Sequence, residues 1–521
     1  MKKYFQHIGA DLSASIVVLL VALPLCLGIA LGSGAPLFAG IIAGVVGGIV
    51  IGILSGSQLS VSGPAAGLTV IVASAIIKLQ VYEAFLLAVV LAGVFQVVLG
   101  FVKAGVIGDY VPNAVIKGML AAIGLILILK QLPHLVGYDS DFEGDESFIQ
   151  SDQQNTISEI FNALNYITPS AAIIGSISLL ILIFWSSKLI QKNKLLSAIP
   201  GPLIVVLFSI GVNLFFKWNY AEYELSSKHL VTLPVAKTTT AFFSFFTFPA
   251  IQHISNPVVW TSAITLAIVA SLETLLGIEA VDKLDPLKRI TPTNRELKAQ
   301  GVGNIISGLI GGIPVTSVVV RSSANVNAGG KTKMSTISHG VLLMLCVIFI
   351  PTVLNTIPLS ALAAVLIYTG YKLVKLPLFK EFFDKGWDQF VPFTATIVAI
   401  LLTDLLIGIM IGILVGLFFL VRSNFRSSIL VVNNNHNYLI RLRKDVSFLN
   451  KPIIKNKLNL IPSNSFVIID ATRADFIDKD IIEEINTFLL VAHTRHIHVE
   501  IKKSLHKPMH LLFNQPKHLA K

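Results

Sequence analysis

The stretch LIGGIPVTSVVVRSSANVNAGGKTK, residues 309–333, is an apolar segment broken by Gly311, Gly312 and Pro314 and then loaded with Arg321. A continuous membrane helix is not written this way. Glycine weakens helix and proline is tolerated best in a first turn, so the spacing predicts a fresh half-helix beginning near Pro314 and running through Arg321. A helix start at membrane depth leaves backbone N–H groups without intrahelical partners, beside the positive end of a dipole. Such backbone is tolerated only where protein or a water-filled cavity covers it, so the break itself marks a site. Residues 60–72, SVSGPAAGLTVIV, repeat the grammar: small polar residues, Gly63 and Pro64, then an apolar helix with Thr69 one turn in. Paired interruptions in corresponding halves of a chain point to a transporter's binding site, here with two facing helix ends that attract an anion.

Composition agrees with a membrane protein. Of 521 residues 54% are hydrophobic and 13% charged, which excludes a soluble globular protein of ordinary composition. The net charge of +11 does not make a nucleic-acid binder, because no basic patch is interleaved with aromatics. The basic residues sit in short loops and the tail, as the positive-inside bias requires. Cys26 and Cys346 lie in apolar runs and are too few for a disulfide framework or a metal site, so they read as packing residues. There is no nucleotide-binding loop, no nucleophile beside a base and no metal-spaced cluster. An enzyme is therefore not expected, nor a metal or cofactor. No cleavable signal peptide is visible, since the polar residues 1–11 precede an apolar run long enough to be a span.

Taking roughly 17 to 25 apolar residues per crossing, spans fall near 12–31, 37–54, 64–79, 83–102, 113–132, 170–187 and 198–216. A second set falls near 258–280, 298–311, 314–327, 335–354, 357–372, 389–405 and 407–422. The expected fold is thus an all-α polytopic bundle of about 14 spans, arranged as a 7+7 inverted repeat (about 12–216 and 258–422) whose third members are short and interrupted. With Lys2 and Lys3 inside, the acidic link holding Asp139, Asp141, Glu143, Asp145 and Glu146 falls outside. The links with Lys188, Lys192, Lys194, Lys283, Lys288, Arg289, Lys331, Lys333, Lys372, Lys375 and Lys380 fall inside. Both termini are then cytoplasmic and the membrane is the inner one. The link over 217–257 is outside, with mixed composition and no evident chemistry.

A transport domain over 1–423 gives way to a polar, basic tail over 424–521. A strand over 466–469, an Asp-rich turn, an amphipathic helix over 479–493 and a strand over 497–501 make a βαβ unit, hence a small cytoplasmic α/β domain.

Several motifs together carry a resemblance: ALPLCLGIALGSGAPLFAG (22–40), SVSGPAAG (60–67), SLETLLG (271–277), NRELKAQGVGNIISGLIGGIP (294–314) and VVVRSSANVNAGGKT (318–332). With them the chain resembles the sulfate permease (SulP) family of anion transporters, and its tail is similar to the STAS module. The resemblance implies a uracil-permease-like fold with a core domain carrying the substrate, a gate domain, and homodimers working by an elevator movement. Relatives thought to couple to sodium place hydroxyl residues where this chain has Gly277 and Val319, so a full sodium shell of hard oxygens is not expected. Leu25 stands where many relatives carry glutamine. In the tail, Asp478, Lys479 and Asp480 occupy the turn where phosphorylatable STAS domains have serine.

The candidate substrate site comprises Ala66, Gly67 and Thr69 facing Ser317, Val318, Val319 and Arg321, with Ser62 as a weaker candidate. Glu273 is mid-span, where a carboxylate costs roughly 2.5 to 3.5 kcal/mol on insertion scales and so faces a cavity, a cation or a buried partner. It reads as a coupling site for H+, or as a structural carboxylate. Arg321 stands near the anion or balances Glu273, or else snorkels to the cytoplasmic end of its half-helix. For Thr69 the alternative is a hydroxyl bonded back within its own helix. His339 is a packed histidine with one satisfied nitrogen, or a proton relay. Lys130 and Asp404 read as interfacial, and Asn294, Arg295, Glu296 and Gln300 as a capping and packing network. The expected function is secondary active transport of a small inorganic anion of the sulfate or bicarbonate class, proton-coupled or exchanging anions. An anion channel and a nucleobase–proton symporter of the same fold are the alternatives, and Arg321 speaks against a neutral heterocycle.

Overall fold

The computed structural model describes residues 7–140, 148–149, 154–187, 190, 192, 196, 199–236, 238–504, 506 and 512–514. Lys2, Lys3, Asp141, Glu143, Asp145, Glu146, Lys188 and Lys194, used above to orient the chain, lie outside the described residues. The chain divides into two units, 1–413 and 414–521, and the division falls inside a helix.

In the first unit, α1 (Ile8–Gly32) and α2 (Leu37–Leu54) lead to a two-residue strand β1 (Ser62–Gly63), a 3-10 turn (Ala66–Leu68) and the short α3 (Thr69–Leu79). Then come α4 (Tyr82–Phe101), α5 (Asn113–Leu135), α6 (Thr156–Asn165), α7 (Pro169–Trp185) and α8 (Gly201–Asn219). The same order returns as α9 (Pro257–Leu284), α10 (Thr293–Leu309), β2 (Thr316–Ser317), α11 (Val319–Asn327), α12 (Met334–Phe349), α13 (Leu359–Leu373), α14 (Leu376–Asp384), α15 (Trp387–Leu402) and α16 (Leu405–Ser427). Each expected span has its helix. The repeat also holds a pair the sequence reading passed over, α6 and α14, which are too short and amphipathic to register as spans. Among the described residues seven helices are long and apolar enough to cross a bilayer, and the chain is a multi-pass membrane protein.

Helix starts follow local chemistry. The Asn256 side chain accepts from Val258 N–H at 2.9 Å, with Pro257 in the first turn of α9, and Asn155 and Ser158 form a capping box on α6. Asp404 is a cap as well, its Oδ1 accepting from Ile407 N–H at 2.8 Å at the head of α16. Lys130, by contrast, is buried within α5 and its Nζ has no hydrogen-bond partner among the described residues. The sequence window saw the approaching end of α5, whereas the helix continues to Leu135.

The two sets interlock symmetrically. α10 packs along α4 and α12 along α2, while α5 and α13 cross each other. Glycines mark all three crossings. A Cβ on Gly93 would lie 2.6 Å from Gly301 O, one on Gly48 2.5 Å from Gly340 Cα, and one on Gly124 2.7 Å from Gly370 O. Small residues let membrane helices approach to backbone contact, where dispersion and weak hydrogen bonds replace the hydrophobic drive that lipid removes. The helices sort into a core bundle (α1–α4 with α9–α12) and a gate bundle (α5, α7, α8, α13, α15 and α16). The bundles meet where Val21, Leu25, Leu276, Val319 and Val320 pack on Met119, Ile123 and Ile409.

The second unit holds β3 (Ile429–Asn434), β4 (Asn437–Leu442), β5 (Lys444–Val446), α17 (Lys451–Asn459), β6 (Phe466–Asp470), β7 (Ala474–Ile477), α18 (Lys479–Ala492) and β8 (His498–Lys502). Its main sheet runs β3-β4-β6-β8, antiparallel in the first pair and parallel in the other two. β6, α18 and β8 are the βαβ unit. Asp478 caps α18 through Asp480 N–H, and Ile481, Ile485, Phe488 and Ala492 form its buried stripe over Ile440, Val467 and Val499.

Candidate substrate site at the strand crossing

The two interrupted segments meet as strands. β1 and β2 pair antiparallel, Ser62 opposite Ser317 and Gly63 opposite Thr316, so the helices that follow them leave in opposed directions. Side chains from the neighbouring spans take the place of a wider sheet. Val318 N–H donates to Val61 O at 3.0 Å, and Val61 N–H donates to Ser322 Oγ at 2.9 Å. Asn304 of α10 pairs with Val315 as a strand would, its Oδ1 accepting from Val315 N–H at 2.6 Å and its Nδ2 donating to Val315 O at 3.0 Å. Gln96 Oε1 accepts from the same Nδ2 at 2.6 Å, and Ser307 Oγ donates to Ile313 O at 2.8 Å. These bonds hold residues 313–318 extended. The half-helix therefore begins at Val319, and the expectation that it begins near Pro314 is corrected. Pro314, lacking an N–H, occupies a stretch between two residues whose backbone is already held.

Between the two helix starts and the gate bundle lies a cavity of about 40 Å³. Ala66, Gly67, Glu273, Ser317, Val318 and Val319 line its core side, and Met119, Ile123, Leu405 and Ile409 its gate side. The first N–H groups of a helix have no intrahelical acceptor. Here these belong to Ala66 and Gly67 on one side and to Val319, Val320 and Arg321 on the other. The N–H groups of Ser317 and Val318 are engaged within the protein, by Thr274 Oγ1 at 3.4 Å and Val61 O at 3.0 Å. Two glycines keep the cavity open and its walls close. A Cβ on Gly67 would lie 2.9 Å from Glu273 Oε1, and one on Gly277 would lie 2.6 Å from Ser317 O. Gly277 thus stands where α9 touches the backbone of β2, and a hydroxyl side chain there would displace the strand.

Arg321 is not on the cavity wall. Its side chain is fully buried behind the strand crossing, Nη2 donating to Pro64 O at 3.3 Å and the Cys26 thiol lying against the guanidinium. A Cβ on Gly63 would lie 2.0 Å from Nη1, so this glycine is the slot that admits the guanidinium. His339 is fully buried as well, and neither ring nitrogen has a partner among the described residues, which corrects the expectation of one satisfied nitrogen. Its helix α12 packs against the glycine-rich turn of α2, and that surface offers close backbone contact rather than side-chain acceptors. Thr69 is buried behind the first turn, off the cavity wall, its hydroxyl without a partner among the described residues. Ser62 Oγ accepts from Gln300 Nε2 at 2.7 Å, and Ser317 Oγ shares a hydrogen with Ser60 Oγ at 2.7 Å. The structure thus brings together Ala66, Gly67, Glu273, Ser317, Val318 and Val319, and sets Thr69 and Arg321 behind them.

Sequence reasoning missed the scaffold residues Gln96, Asn304 and Ser307. The signal was present in α10, where Glu296, Gln300, Asn304 and Ser307 fall at helical spacing on one face of a membrane segment. It also missed the tie between Asp139 and His229, whose Oδ2 and Nδ1 lie 2.6 Å apart across 90 residues of chain.

Comparison with known proteins agrees with this architecture. The profile of the Sulfate permease family matches residues 8–396. The Bacillus subtilis protein YvdB, provisionally named a sulfate transporter, is 28% identical over 323 residues, covering 61% of this chain and 56% of its own. The bicarbonate transporter BicA of Picosynechococcus is 24% identical over 295 residues, covering 56% of this chain and 47% of its own. The chain therefore spans about half the length of the curated relatives it matches. Among solved structures, murine Solute Carrier 26 family member A9 superposes with a TM-score of 0.66 at 16% identity, over 96% of this chain and 86% of that one. The transmembrane domain of a cyanobacterial BicA superposes with a TM-score of 0.54 at 19% identity, over 79% of this chain and 98% of that one. With the strand crossing, the paired half-helices and a profile match over residues 8–396, the chain belongs to the Sulfate permease family.

Proposed function

We propose that this chain is a secondary transporter of a small inorganic anion, of the sulfate or bicarbonate class, working by alternating access with an elevator movement of the core bundle against the gate. The observation that carries the reading is the convergence of two helix N-termini on one cavity. The anion is held by the backbone N–H groups of Ala66, Gly67, Val319 and Val320, with Ser317 and Val318 shaping the wall. Arg321 and Thr69 act from behind, the guanidinium as a fixed positive charge across the strands. Glu273 is the coupling group, taking up a proton as the anion binds, or balancing charge during exchange. Names given to relatives support the anion class: BicA is a bicarbonate transporter and YvdB carries a sulfate name.

The same reading assigns residues 1–423 to transport and 424–521 to a STAS-like domain used for assembly or regulation. It places the protein in the inner membrane with cytoplasmic termini, as a homodimer. The test is uptake into proteoliposomes of labelled sulfate, bicarbonate and fumarate, each with and without proton and sodium gradients. Saturable uptake of an inorganic anion, accelerated by a proton gradient or by a trapped counter-anion and indifferent to sodium, is the expected result. Non-saturating flux would make the protein a channel, and uptake confined to neutral nucleobases would overturn the anion reading.

A further inference from the structure

Glu296 sits in the first turn of α10, and its side chain is fully buried. Its carboxylate is bound by neutral donors: Ser55 Oγ donates to Oε2 at 2.5 Å and Gln300 Nε2 donates to Oε1 at 3.1 Å. The same Gln300 nitrogen donates to Ser62 Oγ at 2.7 Å, on strand β1. One amide therefore bridges a buried carboxylate and the strand from which the first half-helix springs. Gln300 is itself fully buried, and its Oε1 has no hydrogen-bond partner among the described residues. A buried amide oxygen left unbonded is costly, and turning the amide over satisfies that oxygen when its neighbours offer donors.

We infer that Glu296 is a proton-binding site whose occupancy is relayed through Gln300 to Ser62, and that the proton and the transported anion bind to the core bundle in a linked way. With Glu296 ionised, Gln300 presents its NH2 to both neighbours, and Ser62 accepts. When a proton from the cytoplasmic side adds to Glu296 Oε1, the oxygen that faces Gln300, that oxygen becomes a donor while Oε2 goes on accepting from Ser55 Oγ. Gln300 then turns its oxygen toward both neighbours, accepting from the Glu296 O–H, and the Ser62 hydroxyl reverses to donate to that oxygen. One proton is gained and the bond polarity at β1 is inverted.

The charged groups around Glu296 are Arg295 on its own helix and Lys333 at the head of α12. Arg295 Nε donates to Leu54 O at 2.9 Å, and Lys333 Nζ donates to Ile53 O at 3.0 Å and Ser55 O at 3.4 Å, so both cap the C-terminal end of α2. α4 presents Gly93, Val97 and Gly100 to α10. In the last turn of α9, Asp282 is occupied by Thr291, and in the link before α10 Asp285 is occupied by Arg289. Protonation removes a negative charge from the body that carries the anion site, so it strengthens anion binding, and by linkage the anion raises proton occupancy.

This inference rests on the anion-transport reading, and two measurements keep their failures apart. The first is infrared difference spectroscopy of the purified full chain between acid and alkaline buffer, in a Glu273→Gln background. It requires no transport. A C=O band of a protonated, buried carboxylic acid is expected, absent after Glu296→Gln and shifted by Ser62→Ala. A spectrum unchanged by both variants overturns the proton site. The second is sulfate and bicarbonate binding as a function of pH on the side of Lys333 and Arg295. Affinity should rise roughly 5-fold or more as pH falls, and Glu296→Gln should shrink that rise to the part that Glu273 contributes. A variant with the same pH profile as the natural protein would overturn the linkage. Should no anion bind the natural protein while the infrared band titrates, the transport reading fails and the proton site stands.

Discussion

Arg321 shows how little freedom the strand crossing leaves a single side chain. Its guanidinium fills the space that any residue but glycine would claim at position 63. Gly63→Ala should therefore destabilise the protein by about 1 to 3 kcal/mol, the usual cost of overpacking, seen as a fall in the midpoint of thermal unfolding in detergent. An unchanged midpoint would mean that the guanidinium can move aside. On the proposal that Arg321 acts across the strands rather than by contact, Arg321→Met should weaken anion affinity by roughly tenfold without abolishing binding, as loss of a unit charge does across a protein interior. Isothermal titration would reveal direct coordination instead if binding vanished. Position 321 was legible as a candidate from sequence because a charge in an apolar run stands out. Its placement behind the site was not, since nothing in the spacing of residues 60–72 and 309–333 says which side chains pass between two paired strands.

At the level of elements, the breaks in the two third spans were legible in Gly63, Pro64, Gly311, Gly312 and Pro314, but the start of the second half-helix was misjudged by five residues because its cause is tertiary. Asn304 sits eleven residues away in a different helix and holds Val315 by both backbone groups. Asn304→Ala removes both bonds and should reduce anion affinity more than it reduces the unfolding midpoint, since it loosens β2 while leaving helix packing intact. Equal loss of both would make Asn304 a stability residue only. The loop after α5 is tied to the long link before α9 by Asp139, whose Oδ1 lies 2.6 Å from His134 Nδ1 and whose Oδ2 lies 2.6 Å from His229 Nδ1. Burial opposes charge on Asp139, but the hydrogen bonds and charges of the two histidines outweigh it and hold the carboxyl below the usual carboxylate range. A depressed native value means that the tie contributes fully above the unfolded value, about 3.9, and is lost as pH falls through the lower native one. Asp139→Asn should therefore lower the unfolding midpoint at pH 7, with the difference from the natural protein closing below about pH 4. A difference that persists in acid would exclude the ionic form as its source.

For the whole molecule, the repeat of two sets of spans was read from hydropathy alone because each span had to be long and apolar to cross lipid. The amphipathic α6 and α14 escaped that criterion, and the interlocking of the sets through Gly48, Gly93, Gly124 and their partners was hidden in an ordinary glycine content. The α/β unit was legible in its βαβ part, where strand and helix periods differ sharply, and less so in β3, β4 and β5. Truncation after Ser428 should leave the affinity for anion unchanged and diminish dimer formation, measured by light scattering in detergent; a lost affinity would place the tail in the site. The claim on which all else depends is that the cavity between the two half-helices holds the anion. It is tested most directly by equilibrium binding of labelled sulfate and bicarbonate to the purified protein carrying Gly67→Val, which fills the cavity beside Glu273. Loss of saturable binding with the unfolding midpoint retained is the predicted result, and undiminished affinity in a folded variant would contradict the account.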